Sequence, residues 1–182
     1  YLCVSDHSRS AAYAGGLSIE RLRTQHEEVR ALDLSLRPFR VFHGVESDIL
    51  ADGSLDYPDE VLAELDFVIG SVHSGLSMAP EKATERLLAA VRSPSLTILG
   101  HPSGSLLLER EGYRYDEDRL REALRECGVV LEHNCNPSRL DPDWPLLKRE
   151  MPAPKRSSSG TWSALASISS YSLEALTVSP DS

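Results

Sequence analysis

Apolar residues gather in five short runs along the first part of the chain, and stretches of helical periodicity separate them. The runs Tyr1 to Ser5, Phe39 to Val45, Phe67 to Val72, Leu96 to Leu99 and Val129 to Leu131 have strand length and β-branched character. Between them, Ile19, Leu22, His26, Val29 and Leu32 recur at helical spacing. They predict an amphipathic helix over residues 19–34, with Ser18 as N-cap and Arg21 in place of a capping-box glutamate. Pro58 opens a short helix continued by Val61, Leu62 and Leu65. Pro80 opens another, with Ala83, Leu87, Leu88 and Val91 on one face and Pro94 as its stop. Asp116 caps a fourth helix with Leu120, Ala123, Leu124 and Cys127 facing inward, and Gly128 ends it. A last helical segment begins at Asp143 and reaches Glu150. Strands alternating with helices at this spacing predict βαβ units and a mostly parallel sheet of the α/β class.

Composition adds limits. The length of 182 residues suits one domain with a sizeable core. After about Glu150 the character changes. Met151-Pro152-Ala153-Pro154-Lys155-Arg156 gives way to a serine-rich stretch without periodicity. The expected organisation is therefore a domain over residues 1–150 and a divergent, weakly packed tail over 151–182. The chain opens at Tyr1 directly on a strand-like run, the pattern expected of a piece of something longer. A net charge of -9 disfavours bulk affinity for nucleic acid. It leaves room for a phosphate site built around a bound cation. No apolar stretch approaches the roughly 18 residues of a membrane span. Cys3, Cys127 and Cys135 lack paired spacing, so they read as reduced thiols filling small apolar positions in a cytoplasmic protein.

The candidate chemistry lies where the apolar runs end. In parallel α/β sheets all such ends share one rim, and that rim is where working residues sit. His7, Glu46, His73 and His101 each end a separate run. Imidazoles suit zinc, manganese or iron, and a carboxylate among them can bridge two ions. His43 lies inside a strand, His133 follows Glu132 and His26 lies within a helix, so these three rank below the first set.

Several motifs carry a family likeness: Ser5-Asp6-His7-Ser8, Gly44-Val45-Glu46-Ser47-Asp48, Gly70-Ser71-Val72-His73-Ser74 and Gly100-His101-Pro102-Ser103-Gly104. Asp52-Gly53-Ser54-Leu55-Asp56-Tyr57, Thr84-Glu85-Arg86-Leu87, Arg110-Glu111-Gly112-Tyr113 and Asn134-Cys135-Asn136-Pro137-Ser138-Arg139-Leu140-Asp141 extend it. Together they resemble the polymerase and histidinol phosphatase (PHP) domain, above all the form found at the C-terminus of bacterial X-family DNA polymerases. The likeness runs from Tyr1 to about Lys148. It implies an incomplete distorted (β/α)7 TIM-like barrel and metal-dependent phosphoester hydrolysis, as the 3′–5′ exonuclease part of such a polymerase. It also implies divalent zinc or manganese, with iron or magnesium as alternatives, and a DNA 3′ end as substrate. A polymerase module is expected upstream.

In that scheme Glu46 matches the bridging carboxylate, His73 and His101 share one ion with it, and His7 serves another. The family's first-strand His-x-His pair has no counterpart after Tyr1, and no histidine follows His133 for its final Asp-x-His pair. Ser169 and Tyr171 would fall at those last positions, and Ser105 stands where arginine is common. One metal site thus keeps its protein ligands and the others keep one each, so weak metal binding and impaired hydrolysis are expected. The alternatives are a stand-alone phosphatase of the histidinol-phosphate type and a non-catalytic scaffold. A barrel lacking strands also predicts self-association through exposed edges.

Overall fold

The computed structural model describes residues 1–150; the expected serine-rich tail lies outside the described residues. Its centre is a five-stranded sheet of β1 (Leu2–His7), β2 (Val41–Asp48), β3 (Phe67–Ser71), β4 (Ile98–Leu99) and β5 (Val130–Leu131). All four pairings are parallel and the spatial order is the chain order. The crossovers carry α1 (Ile19–Ser35), α2 (Asp59–Leu62), α3 (Pro80–Val91) and α4 (Glu117–Cys127), and α5 (Trp144–Glu150) follows β5. Among the described residues the sheet is open, with β1 and β5 at its edges. The expected α/β class and parallel sheet are therefore present, as an unclosed sheet.

Local chemistry explains the helix boundaries. The Ser18 hydroxyl accepts from the Arg21 amide and starts α1, and the Asp116 carboxylate accepts from the Arg119 amide and starts α4. Gly128, in the left-handed conformation at φ 70°, closes α4. Pro80 sits in the first turn of α3, where its missing N–H costs nothing. Leu22, Val61, Leu62, Leu87, Leu88, Leu120 and Leu124 from the helices pack in one cluster with Val45, Val68 and Leu99 from the strands. Each such buried side chain contributes about 1.5–3 kcal/mol. The alternation of a strand then sends Glu46, Ile69 and Ile98 to the opposite face, where Glu46 pairs in register with Ile69 and Ile69 with Ile98.

Two inward assignments change. Asp33 rather than Leu32 is the buried residue of the last turn of α1. Its carboxylate takes hydrogen bonds from Arg37 (2.7 Å), Arg40 (2.8 Å) and the Val41 amide (2.9 Å), tying the helix to the start of β2. Cys127 is exposed, as are Cys3 and Cys135, so the thiols do not fill the core. Cys127 ends α4, beyond the turn that packs inward. No described helix is long and apolar enough to cross a membrane.

Candidate metal centre

The rim assembles as the strand endings require. β1 ends on His7, which stands in register opposite Glu46. Glu46 lies within β2 rather than at its end, because pairing with β3 carries the strand on to Asp48. His73 lies two residues beyond β3, and His101 two beyond β4. Glu46 is the shared neighbour. Its Oε2 is 3.7 Å from His7 Nδ1, and its Oε1 is 3.2 Å from His73 Nε2 and 3.8 Å from His101 Nδ1. The His73 ring is centred 5.2 Å from both the His7 and the His101 rings. Among the described residues, His7, Glu46 and His73 form the tight group, with ligand atoms all within 4.8 Å of one another. His101 stands one step further along the rim and is shared with Glu132, whose Oε2 is 3.5 Å from its Nδ1.

Two carboxylates that the sequence reading did not single out fix these imidazoles. His73 Nδ1 donates to Asp48 Oδ1 at 2.5 Å, which turns Nε2 toward Glu46. The His101 amide donates to Glu132 Oε2 at 2.7 Å, and Asn134 donates to Glu132 Oε1. The signal for Asp48 was its spacing: two residues beyond Glu46 on a strand shares its face. Burial works to lower the His73 pKa, but the hydrogen bonds to Asp48 and then Glu46 outweigh it and raise the pKa to about 9. For Glu46 burial pushes upward, while the His73 hydrogen bond and the fields of His101 and His7 prevail and hold it at about 2.

The donor set fits divalent metal. His7 Nδ1 and His101 Nε2 are buried ring nitrogens without a hydrogen-bond partner among the described residues. Buried polar atoms of this kind are normally satisfied; His7 Nδ1 is the one that faces Glu46, while His101 turns Nδ1 toward Glu46 and leaves Nε2 unpartnered. His43 is elsewhere, against α1: its Nδ1 is 3.0 Å from His26 Nδ1, and its Nε2 is 2.8 Å from Gln25 Oε1. His133 joins neither group.

The loop leaving β1 brings Tyr13 over the cluster. Its ring is centred 6.3 Å from that of His7 and 6.2 Å from that of His73. On the far side of His101, the buried Asp141 carboxylate accepts from the Ser103 amide, and its pKa is raised, chiefly by burial.

No family model matches the chain. The chain is homologous to the DNA polymerase/3′-5′ exonuclease PolX of Bacillus subtilis, with 44% identity over 141 residues; the match covers 78% of this chain and 25% of that protein. It is 29% identical over 140 residues to a protein of Caldanaerobacter subterraneus named "Probable phosphatase", covering 73% of this chain and 49% of the relative. A "Probable phosphatase" of Clostridium acetobutylicum is 35% identical over 98 residues, 52% of this chain and 37% of its own length. The chain thus spans about a quarter of the polymerase and about half or less of the phosphatases.

Proposed function

We propose that the chain is a PHP-type metal-dependent phosphoesterase and forms the 3′–5′ exonuclease part of an X-family DNA polymerase. The observation that carries this reading is Glu46 set among His7, His73 and His101, with His7 Nδ1 left without a hydrogen-bond partner beside it. The polymerase/exonuclease and phosphatase names of the relatives support the same class.

In this reading His7, Glu46, His73 and His101 hold zinc or manganese, with iron or magnesium as alternatives. Such ions supply Lewis acidity toward a phosphoryl oxygen and acidify a water. The chain's own residues do the positioning. Glu46 offers one oxygen to the His7 side and the other to the His73 and His101 side, so it can serve two positions. Asp48 locks the His73 ring, and the carboxylate of Glu132 holds the backbone at His101. The rim keeps four ligands, so metal is held weakly and hydrolysis is slow.

The names of several relatives favour a second reading, a small-molecule phosphatase. Assay of a labelled single-stranded oligonucleotide beside p-nitrophenyl phosphate, in manganese and in chelator, separates the two. Metal-dependent shortening of the oligonucleotide, lost in His73→Ala, is the expected result. Cleavage of p-nitrophenyl phosphate alone supports the phosphatase. No cleavage of either, with less than about one metal per two chains after purification without chelator, leaves a non-catalytic scaffold. In the polymerase reading a polymerase module accompanies this chain. The exposed edges of β1 and β5 also remain candidate self-association surfaces, which light scattering across a concentration series would detect.

A further inference from the structure

Tyr13 stands out because it is exposed yet held rigidly. It is the centre of a single 3-10 turn, Ala12–Ala14, and remains 73% exposed although its ring approaches both His7 and His73. The turn is pinned from every side. The Ser8 amide donates to Glu46 O (3.0 Å), Ala11 to Ser8 O (3.0 Å), Gly16 to Ala11 O (3.2 Å) and Leu17 to His7 O (2.9 Å). Ala11 is fully buried, and a Cβ on Gly16 would fall 1.9 Å from Ser8 O, so the turn packs closely against the end of β1 and only glycine fits at 16. The core gains little from an aromatic ring held in water over a cluster of ligands.

A second feature lies on the loop that follows His101. On a chain of charge -9, Arg110 and Arg139 form no ion pair among the described residues. Arg110 donates twice to Gly104 O (3.0 and 2.7 Å), and Arg139 donates to Ser105 O (3.2 Å). Both guanidinium groups are thus fastened to the loop that follows His101. Their fields reach Tyr13: burial, then Asp48 and Glu46, push its phenol upward, and Arg139 and Arg110 oppose them.

We infer that Tyr13 is a stacking platform for the terminal nucleobase of a single-stranded nucleic-acid substrate, with Arg139 and Arg110 attracting the adjoining phosphodiester. The inference rests on the phosphoester reading above and narrows its substrate to a chain end whose last base is free to unstack. A π-face accepts any base, so the platform is sequence-tolerant. The guanidinium groups act without sequence preference. A small phosphomonoester without a ring gains nothing from Tyr13.

The test reads binding apart from catalysis. A short single-stranded oligonucleotide with a hydrolysis-resistant phosphorothioate end, and an abasic oligonucleotide of the same length, are titrated in manganese by fluorescence anisotropy. Tyr13→Ala is expected to weaken binding of the first by about ten-fold. It leaves the abasic probe unchanged, and Tyr13→Trp restores the affinity. Arg139→Gln is expected to weaken both probes alike and to flatten the salt dependence. Equal affinities of the unmodified chain and Tyr13→Ala for the base-bearing probe, or no measurable binding of it, overturn the inference. Because Tyr13 is largely exposed, its variants should melt with the unmodified protein, which circular dichroism verifies. Failure of the unmodified chain to release nucleotides from an ordinary oligonucleotide counts against the phosphoester reading alone.

Discussion

His73 and Asp48 meet in a hydrogen bond of 2.5 Å between Nδ1 and Oδ1, and that bond decides which nitrogen of the ring faces the cluster. Both side chains are nearly buried, so the imidazole has one orientation and presents Nε2 to Glu46. Asp48→Asn keeps the size of the side chain and removes its charge. It is expected to reduce manganese or zinc affinity by about 10–100-fold while leaving the secondary structure intact. Isothermal titration with far-UV circular dichroism checks both halves, and unchanged affinity would remove Asp48 from the site.

Metal should also register as stability. An ion that binds the folded chain and not the unfolded one adds about 2.7 kcal/mol at a concentration 100 times its dissociation constant. Manganese or zinc is therefore expected to raise the melting temperature of the unmodified chain, and Glu46→Gln to abolish most of that rise. Differential scanning fluorimetry with and without chelator measures it. A rise retained in Glu46→Gln would place the binding elsewhere.

Arg86, on α3, makes a comparable structural demand just beyond Asp48 and His73. Its buried guanidinium donates to the carbonyls of Leu50 (2.8 Å), Ser74 (2.9 Å) and Ile49, joining the loops that follow β2 and β3. Arg86→Met keeps much of the stem volume and removes all three donations, although Leu50 O still accepts from the Gly53 amide. A loss of about 3 kcal/mol is expected in urea unfolding, since a hydrogen bond to a charged group contributes about 1.5–3 kcal/mol. A change under about 1 kcal/mol would show that water replaces the guanidinium.

Asp33 supplies a pH-dependent contribution with a definite sign. The Val41 amide and Arg40 lower its pKa, burial opposes them, Arg37 assists, and the result is about 2. The unfolded value is about 3.9. A carboxylate depressed by folding stabilises the native state above its unfolded pKa, and the contribution fades as pH falls through the folded one. Asp33→Asn should therefore be less stable than the unmodified chain at neutral pH, with the gap closing between about pH 4 and pH 2. Urea midpoints across that range follow the closure; a gap that stays constant with pH would contradict the assignment.

Much of the architecture could be read from the chain because local chemistry and packing agree there. Asp116 and Gly128 bracket α4 in sequence and in space, and Ser18 starts α1 as its hydroxyl predicts. Agreement weakens where a long-range partner decides. The expected end of the second strand at Val45 became Asp48, because β3 lends its hydrogen bonds to three polar residues that periodicity assigns to a loop. The fourth strand shortened from Leu96–Leu99 to Ile98–Leu99, since β3 and β5 flank only that pair. Asp33 replaced Leu32 on the inner face of α1 because two arginines and an amide wait for its carboxylate.

The same division runs through the rim. That His7, Glu46 and His73 share one place follows from their positions at or near the C-terminal ends of three neighbouring parallel strands. The separate station of His101 beside Glu132, and the hold of Asp48 on His73, depend on register and side-chain direction. Tyr13 escaped notice for the same reason, since a tyrosine between alanines in a polar loop has no periodic signature.

The strand order has a consequence for how the molecule is made. Every strand of the sheet lies beside the one synthesised just before it. Chains are made N-terminus first, and contacts between neighbouring segments need little loop closure. Once α1 and β2 have left the ribosome, His7 and Glu46 can already face each other, and His73 and then His101 arrive at a rim that exists. The site can thus be laid down progressively, one ligand with each returning strand, without waiting for the whole chain.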